Sequence, residues 1–202
     1  MARRSEHSRD EIQAMAIQAA IHILSEDGLQ GLSTRKVASA IGYTAGTLYL
    51  VFKNLDELIL QVNAASLDEL HGQMQNALAK NKEPQTQLLG LAHAYLCFAR
   101  DNFARWSLMF THQMPADMDL PDWFHDKVRV LFALVVQPLQ EINASLTPEQ
   151  YQQATHVLWS SVHGVCELGL NDKLALGGEI RAEELIDAML KNFLNGFIQG
   201  WK

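Results

Sequence analysis

Apolar residues recur along this chain at helical spacing. Met15, Ala16, Ala19 and Ile23 follow Ile12 at three, four, seven and eleven residues. That spacing puts them on one face and predicts an amphipathic helix over 9–26. Ser8, with Glu11 three residues on, makes a capping box at its start, and Asp27-Gly28 stops it. Ser33 or Thr34 caps a short helix through Ile41, which Gly42 ends, and Thr44 caps another through Phe52. Asn54, with Glu57 at the third position, opens a long helix to about Lys80. Asn81-Lys82-Glu83-Pro84 is the clearest break in the middle of the chain. Beyond it, start and stop signals predict helices over 84–100, 101–113, 122–143, 148–170 and 181–200. Pro138 should kink the helix that holds it. Residues 114–121, with two prolines and two aspartates, and Leu176-Gly177-Gly178 read as loops. No credible strand or repeat is found. The expected fold is all-α with nine helices, three at the N-terminus and six after them.

Composition agrees with a globular chain. Of 202 residues, 48% are hydrophobic and 19% charged, which excludes disordered, collagenous and disulfide-scaffold classes. Sixteen basic residues against 23 acidic ones leave a net charge of −7, which by itself argues against a nucleic-acid partner. The distribution argues otherwise. Residues 1–53 hold six basic and five acidic residues, whereas residues 54–202 hold ten and 18. The two cysteines, Cys97 and Cys166, lie far apart in apolar surroundings and read as free thiols of a reducing compartment. No apolar signal core follows Met1, and the longest apolar run, Val130 to Val136, is far short of the ~20 residues that span a bilayer. A cytoplasmic protein with no membrane partner is expected.

Residues 34–53 carry the first chemistry. Two short helices joined by a tight glycine turn make a helix-turn-helix. Ala38 must be small where the second helix crosses, and Gly42 fits a turn position with positive φ. Val37, Ile41, Leu48 and Phe52 are spaced to point inward. Thr34, Arg35, Lys36, Tyr43, Thr44, Ala45, Thr47, Tyr49 and Lys53 are left outside. Hydroxyls, cations and one small residue suit phosphate contacts and close approach to base edges.

The string Gly42-Tyr43-Thr44-Ala45-Gly46-Thr47-Leu48-Tyr49-x-x-Phe52, followed by Asp56-Glu57-Leu58, resembles the recognition segment of TetR-type transcriptional repressors. The resemblance covers residues 9–60 closely, and the helical remainder matches the family's layout. It implies a helix-turn-helix DNA-binding domain over 1–55, linked by a helix over 55–80 to a ligand-binding and dimerising domain over 56–202. It implies Thr34 and Tyr49 on phosphates and Tyr43, Thr44, Ala45 and Thr47 in the major groove of a palindromic operator, bound by a homodimer. One departure stands out. Family members usually carry Lys where this chain has Leu55, so Lys53 would have to make that phosphate contact. The recognition helix also lacks Arg, Lys, Asn and Gln, so bidentate base readout is absent from it. Tyr43, the threonines and DNA shape must supply specificity.

In the second region, Trp159, His163 and Gly164 resemble the Trp-x3-His-Gly segment of one subclass of the same family. Trp159 and His163 either line an effector cavity or pack in the core or dimer seam. Trp106, Phe110, Met114, Met118, Trp123 and Phe124 crowd around the 114–121 loop and suit a small apolar or weakly polar effector. The last helix carries Leu185, Met189, Phe193, Phe197 and Trp201, an apolar stripe read as a dimer seam with the Trp159 helix. His93 and Cys97, with His163 and Cys166, have spacings that a zinc site could use if their helices met, although chance gives the same spacing. No Ser-His-Asp set, paired carboxylates or glycine-rich phosphate loop stands out, so neither catalysis nor a cofactor is expected. A small His- or metal-dependent helical enzyme and a helical protein-binding adaptor remain the alternatives to a ligand-controlled repressor.

Overall fold

The computed structural model describes residues 7–116, 119–174, 178 and 180–200. Among the described residues there are nine helices and no strand: α1 (Arg9–Gly31), α2 (Thr34–Ala40), α3 (Ala45–Tyr49), α4 (Leu55–Ala79), α5 (Pro84–Asp101), α6 (Phe103–Thr111), α7 (Asp122–Ile142), α8 (Pro148–Leu170) and α9 (Ala182–Gly200). The order is the expected one. The glycine stop in α1 is a break rather than an end: Gly28 sits at φ 65° and ψ −170°, and one more turn follows to Gly31. α7 continues through Pro138 to Ile142. Met118, Trp201 and residues 176–177 of the expected loop lie outside the described residues.

The helices form two compact units. The first comprises the chain up to Ser66 together with Ala104–Leu120; the second comprises Leu67–Phe103 and the chain from Pro121 onward. The division falls within α4, between Ser66 and Leu67, and all of α6 except Phe103 belongs to the N-terminal unit.

The first unit is built on α1, which packs on α2 and α3. Ser8 caps it, its hydroxyl accepting from the Glu11 N–H while the Glu11 carboxylate accepts from the Ser8 N–H. Hydrogen bonds to Ser8 hold the Glu11 carboxyl below the usual carboxylate range. Ala16, Ala20 and Ala38 are buried where the helices approach, and Ile12, Leu24, Val37, Leu48 and Phe52 fill the space between them. Leu58 and Val62 of α4 and Leu108 of α6 close this core. At its edge, His112 Nε2 lies 2.9 Å from Asp56 Oδ1, joining the end of α6 to the first turn of α4.

In the second unit α5 packs on α7, α8 and α9, and α8 packs on α7 and α9. Gly90 lets α5 return closely past the end of α4: a Cβ there would sit 3.1 Å from Asn81 Nδ2. Thr147 and Gln150 form a second capping box, at the start of α8. The core gathers Leu91, Tyr95, Phe98, Leu139, Leu158, Cys166, Ile186 and Phe197. Of the α9 residues expected at a dimer seam, one lies wholly inside the protomer. Phe197 is fully buried within the protomer, and Phe193 stacks on it with ring centroids 5.6 Å apart. Leu185, Met189 and Phe193 are half-buried, as is Trp159. α9 packs on α5 and α8 and buries Phe197 there, while Leu185, Met189 and Phe193 keep part of their surface exposed. Cys97 and Cys166 are free thiols. No helix among the described residues is long and apolar enough to cross a membrane.

Candidate nucleic-acid interface and helical cavities

The α2–α3 corner is fixed by backbone chemistry. Ser33 caps α2, accepting from the Lys36 N–H at 3.3 Å. At the other end of α2, Tyr43 N–H donates to Ala38 O at 2.9 Å and Gly42 N–H donates to Ser39 O at 3.1 Å. These two bonds make a Schellman closure, with Gly42 at φ 76°. Thr44 then caps α3, accepting from the Thr47 N–H at 3.3 Å. Its hydroxyl also lies 3.2 Å from that of Thr47.

The outward face carries most of the expected residues. Arg35, Lys36, Thr44, Tyr49 and Lys53 are exposed, and Thr34, Tyr43, Ala45 and Thr47 are half-buried. Three placements add detail. Lys36 pairs with Asp27 of α1, so part of its charge is already met. Tyr43 packs against the unit's core, and its Oη lies 2.8 Å from His7 Nδ1. Leu55 also packs against that core, so the position that usually holds Lys serves packing here. Sequence reasoning passed over His7 and Leu50. His7 meets Tyr43 edge-on with ring centroids 6.1 Å apart, and Leu50, the C-cap of α3, is 73% exposed. Neither has a periodicity signal that would have singled it out.

The expected ligand residues are distributed over both units. Trp106 is fully buried, 5.5 Å from Phe110 ring to ring, in the first unit. Met114 lies there too, whereas Trp123 and Phe124 start α7 in the second. Among the described residues, two apolar cavities lie in the second unit. One, about 60 Å³, is lined by Tyr95, Val135, Leu158, Trp159 and Leu190 among others. Beside it, His163 Nδ1 lies 2.9 Å from Tyr95 Oη, and the imidazole stacks on Trp159 at 5.6 Å. Burial holds the His163 pKa below its ordinary value, against a smaller opposing pull from Glu167. The other cavity is an open groove of about 870 Å³ between α7 and α8. Its walls include Val128, Phe132, Val136, Tyr151, Thr155 and His156.

The residues of the imagined zinc site are engaged separately. His93 Nε2 lies 2.8 Å from Asp187 Oδ1, while His163 meets Tyr95. Among the described residues no three His, Cys, Asp or Glu side chains gather as metal ligands.

Comparison with known proteins agrees with this geometry. Residues 16–62 match the family described as bacterial regulatory proteins, tetR family, and residues 88–193 match the tetracyclin repressor-like C-terminal domain. The HTH-type transcriptional regulator YobS of Bacillus subtilis (strain 168) is 24% identical over 191 residues, 92% of either chain. A protein of unknown function from Rhodococcus sp. RHA1 shares the fold at TM-score 0.78 and 19% identity, over 96% of this chain and 98% of that one. A TetR-family transcriptional regulator from Bordetella parapertussis 12822 does so at TM-score 0.65 and 19% identity, over 98% and 100%. The C-terminal match alone spans more than half of the chain. The chain belongs to the TetR family of bacterial regulatory proteins and is a DNA-binding transcriptional regulator, not an enzyme.

Proposed function

We propose that the protein is a homodimeric repressor that binds a palindromic operator through α3 and is controlled by a small apolar or weakly polar effector. The observation that carries this is α3 itself: five residues, capped by Thr44 and presented by the Gly42 closure, with Tyr49, its last residue, 57% exposed. One such helix reads too few base pairs alone, so two related by a dyad would sit about one DNA turn, roughly 34 Å, apart on successive major grooves. In this reading Thr34, Tyr49, Arg35, Lys36 and Lys53 serve the phosphates. Tyr43, Thr44, Ala45 and Thr47 approach base edges, with His7 bracing Tyr43. The Trp159-x3-His163-Gly164 segment supports the reading that the second unit is of the Trp-x3-His-Gly subclass.

Selection from random DNA tests the reading. A symmetric site is expected, with affinity that falls steeply as salt rises. Tyr49→Phe should weaken binding to all sequences alike, whereas Thr47→Ala should change the sequence preference. Enrichment without a dyad would rule out the dimeric operator.

A further inference from the structure

We infer that the α7–α8 groove is a binding site for an uncharged, partly aromatic small molecule bearing one hydroxyl or carbonyl group. The inference deepens the effector reading above and rests on it for its regulatory meaning alone; the site stands on its own observations. Its volume, about 870 Å³, lies within the ordinary range of small-molecule clefts. Val128, Phe132, Ala133, Val136 and Leu146 give it an apolar wall. Phe132 and the His156 imidazole lie 4.9 Å apart, centroid to centroid, a platform on which a flat ring can stack.

The polar signal is Thr155. The residue is 1% exposed, lines the groove, and its Oγ1 is buried without a hydrogen-bond partner. A helical threonine ordinarily bonds the carbonyl four residues back. Here that bond is not made, and a buried hydroxyl left unsatisfied is costly. A ligand hydroxyl or carbonyl would satisfy it. Neighbouring polar groups are already committed: Tyr151 Oη donates to Asn143 O at 2.6 Å, and His156 Nδ1 lies 2.8 Å from Gln152 O.

Charge sets the ligand class. Among the described residues no carboxylate lines the groove, and Arg129, which does, pairs with Asp126 at 2.7 Å. A nearly neutral site with amides from Gln137, Gln140 and Gln152 favours a neutral ligand over an ammonium compound or a polyphosphate.

Calorimetry on the full chain without DNA tests the site with three probes of one shape: naphthol, methylnaphthalene and naphthylmethylammonium. Naphthol should bind about tenfold more tightly than methylnaphthalene, and the ammonium probe should not bind. Thr155→Val keeps the shape and removes the hydroxyl. It should erase naphthol's advantage while the free protein melts no lower than the parent. Ala133→Trp, on an exposed position of the groove wall, should abolish binding of all probes with an unchanged melting temperature. No naphthol binding, binding indifferent to both substitutions, or a dimer that Ala133→Trp converts to monomer would each overturn the inference, the last by assigning the groove to a second copy of the chain. If naphthol binds as expected but leaves operator affinity unchanged, the site stands and the effector reading falls. If the groove stays empty, operator selection still decides the DNA reading.

Discussion

The Tyr95–His163 contact sits against an apolar wall, and burial favours the neutral imidazole. The folded-state pKa is depressed, so as pH falls the unfolded chain takes up its proton first. The stability tied to His163 is therefore complete above the ordinary value of 6.5 and is lost below it, towards the lower folded pKa. Melting temperature should fall as the solution is acidified below that value, and His163→Gln should flatten this slope. An equal slope in the variant would assign the acid sensitivity to another group. Cys166 gives a second check at this scale. Burial pushes its thiol up to about 12, so almost no thiolate exists at neutral pH. Cys97 is only half-buried, with the Arg100 guanidinium 3.6 Å from its sulfur. Native-state alkylation followed by mass spectrometry should mark Cys97 and spare Cys166 until the chain is denatured. Labelling of both at one rate would mean that the α8 core opens readily.

At the scale of the element, the α2–α3 corner depends on one glycine and one threonine. Gly42→Ala forces a side chain into positive φ, at a cost of about 1 kcal/mol. Thr44→Ala removes the α3 cap and costs about 1 kcal/mol. Both should lower the melting temperature and weaken DNA binding further than stability alone explains, since α3 then frays at the contact face. Operator titration at a temperature where both variants remain folded checks this. These features were legible in the sequence because caps and glycine stops act within a few residues, as was the capping box at Ser8. The α9 stripe was only half legible. Its spacing required burial, but periodicity does not say which neighbour does the burying, and α5 and α8 cover Phe197 within the protomer. The aromatic crowd around residues 106–124 was legible only as a cluster in sequence, which does not say which unit each residue joins. Nearness in sequence placed Trp106 beside Trp123, while the fold puts them in different units. The groove escaped altogether, since it joins residues of α7 to residues of α8, and no local pattern marks an unsatisfied Thr155 hydroxyl.

For the whole molecule, the burial of Phe197 leaves the outer sides of α8 and α9 as a further face on which to test dimerisation. A dimer built on α8 and α9 must use the sides they turn away from the core. There Val157, Ser160 and Leu168 of α8 and Ala188, Asn192 and Gly196 of α9 are exposed. A Cβ added at Gly164 or Gly196 would meet nothing within 4 Å in the protomer, so either position accepts a side chain without cost to the fold. Gly→Ala in a helix even gains about 1 kcal/mol of propensity, and arginine is nearly as good a helix former. Gly196→Arg should therefore keep or raise the stability of the isolated protomer while inserting a long charged side chain where a second α9 would pack. Phe193→Asp is the contrasting variant. It removes a half-buried ring stacked on Phe197 and sets a carboxylate against the protomer's core, at a cost of roughly 2 kcal/mol or more. Sedimentation should find Gly196→Arg as a folded monomer and Phe193→Asp as a largely unfolded chain. Operator affinity should then collapse for Gly196→Arg, because two heads no longer bind as one unit. The helical content of the folded monomer should match that of the parent. A Gly196→Arg protein that remains a dimer and keeps full operator affinity would move the interface off α9.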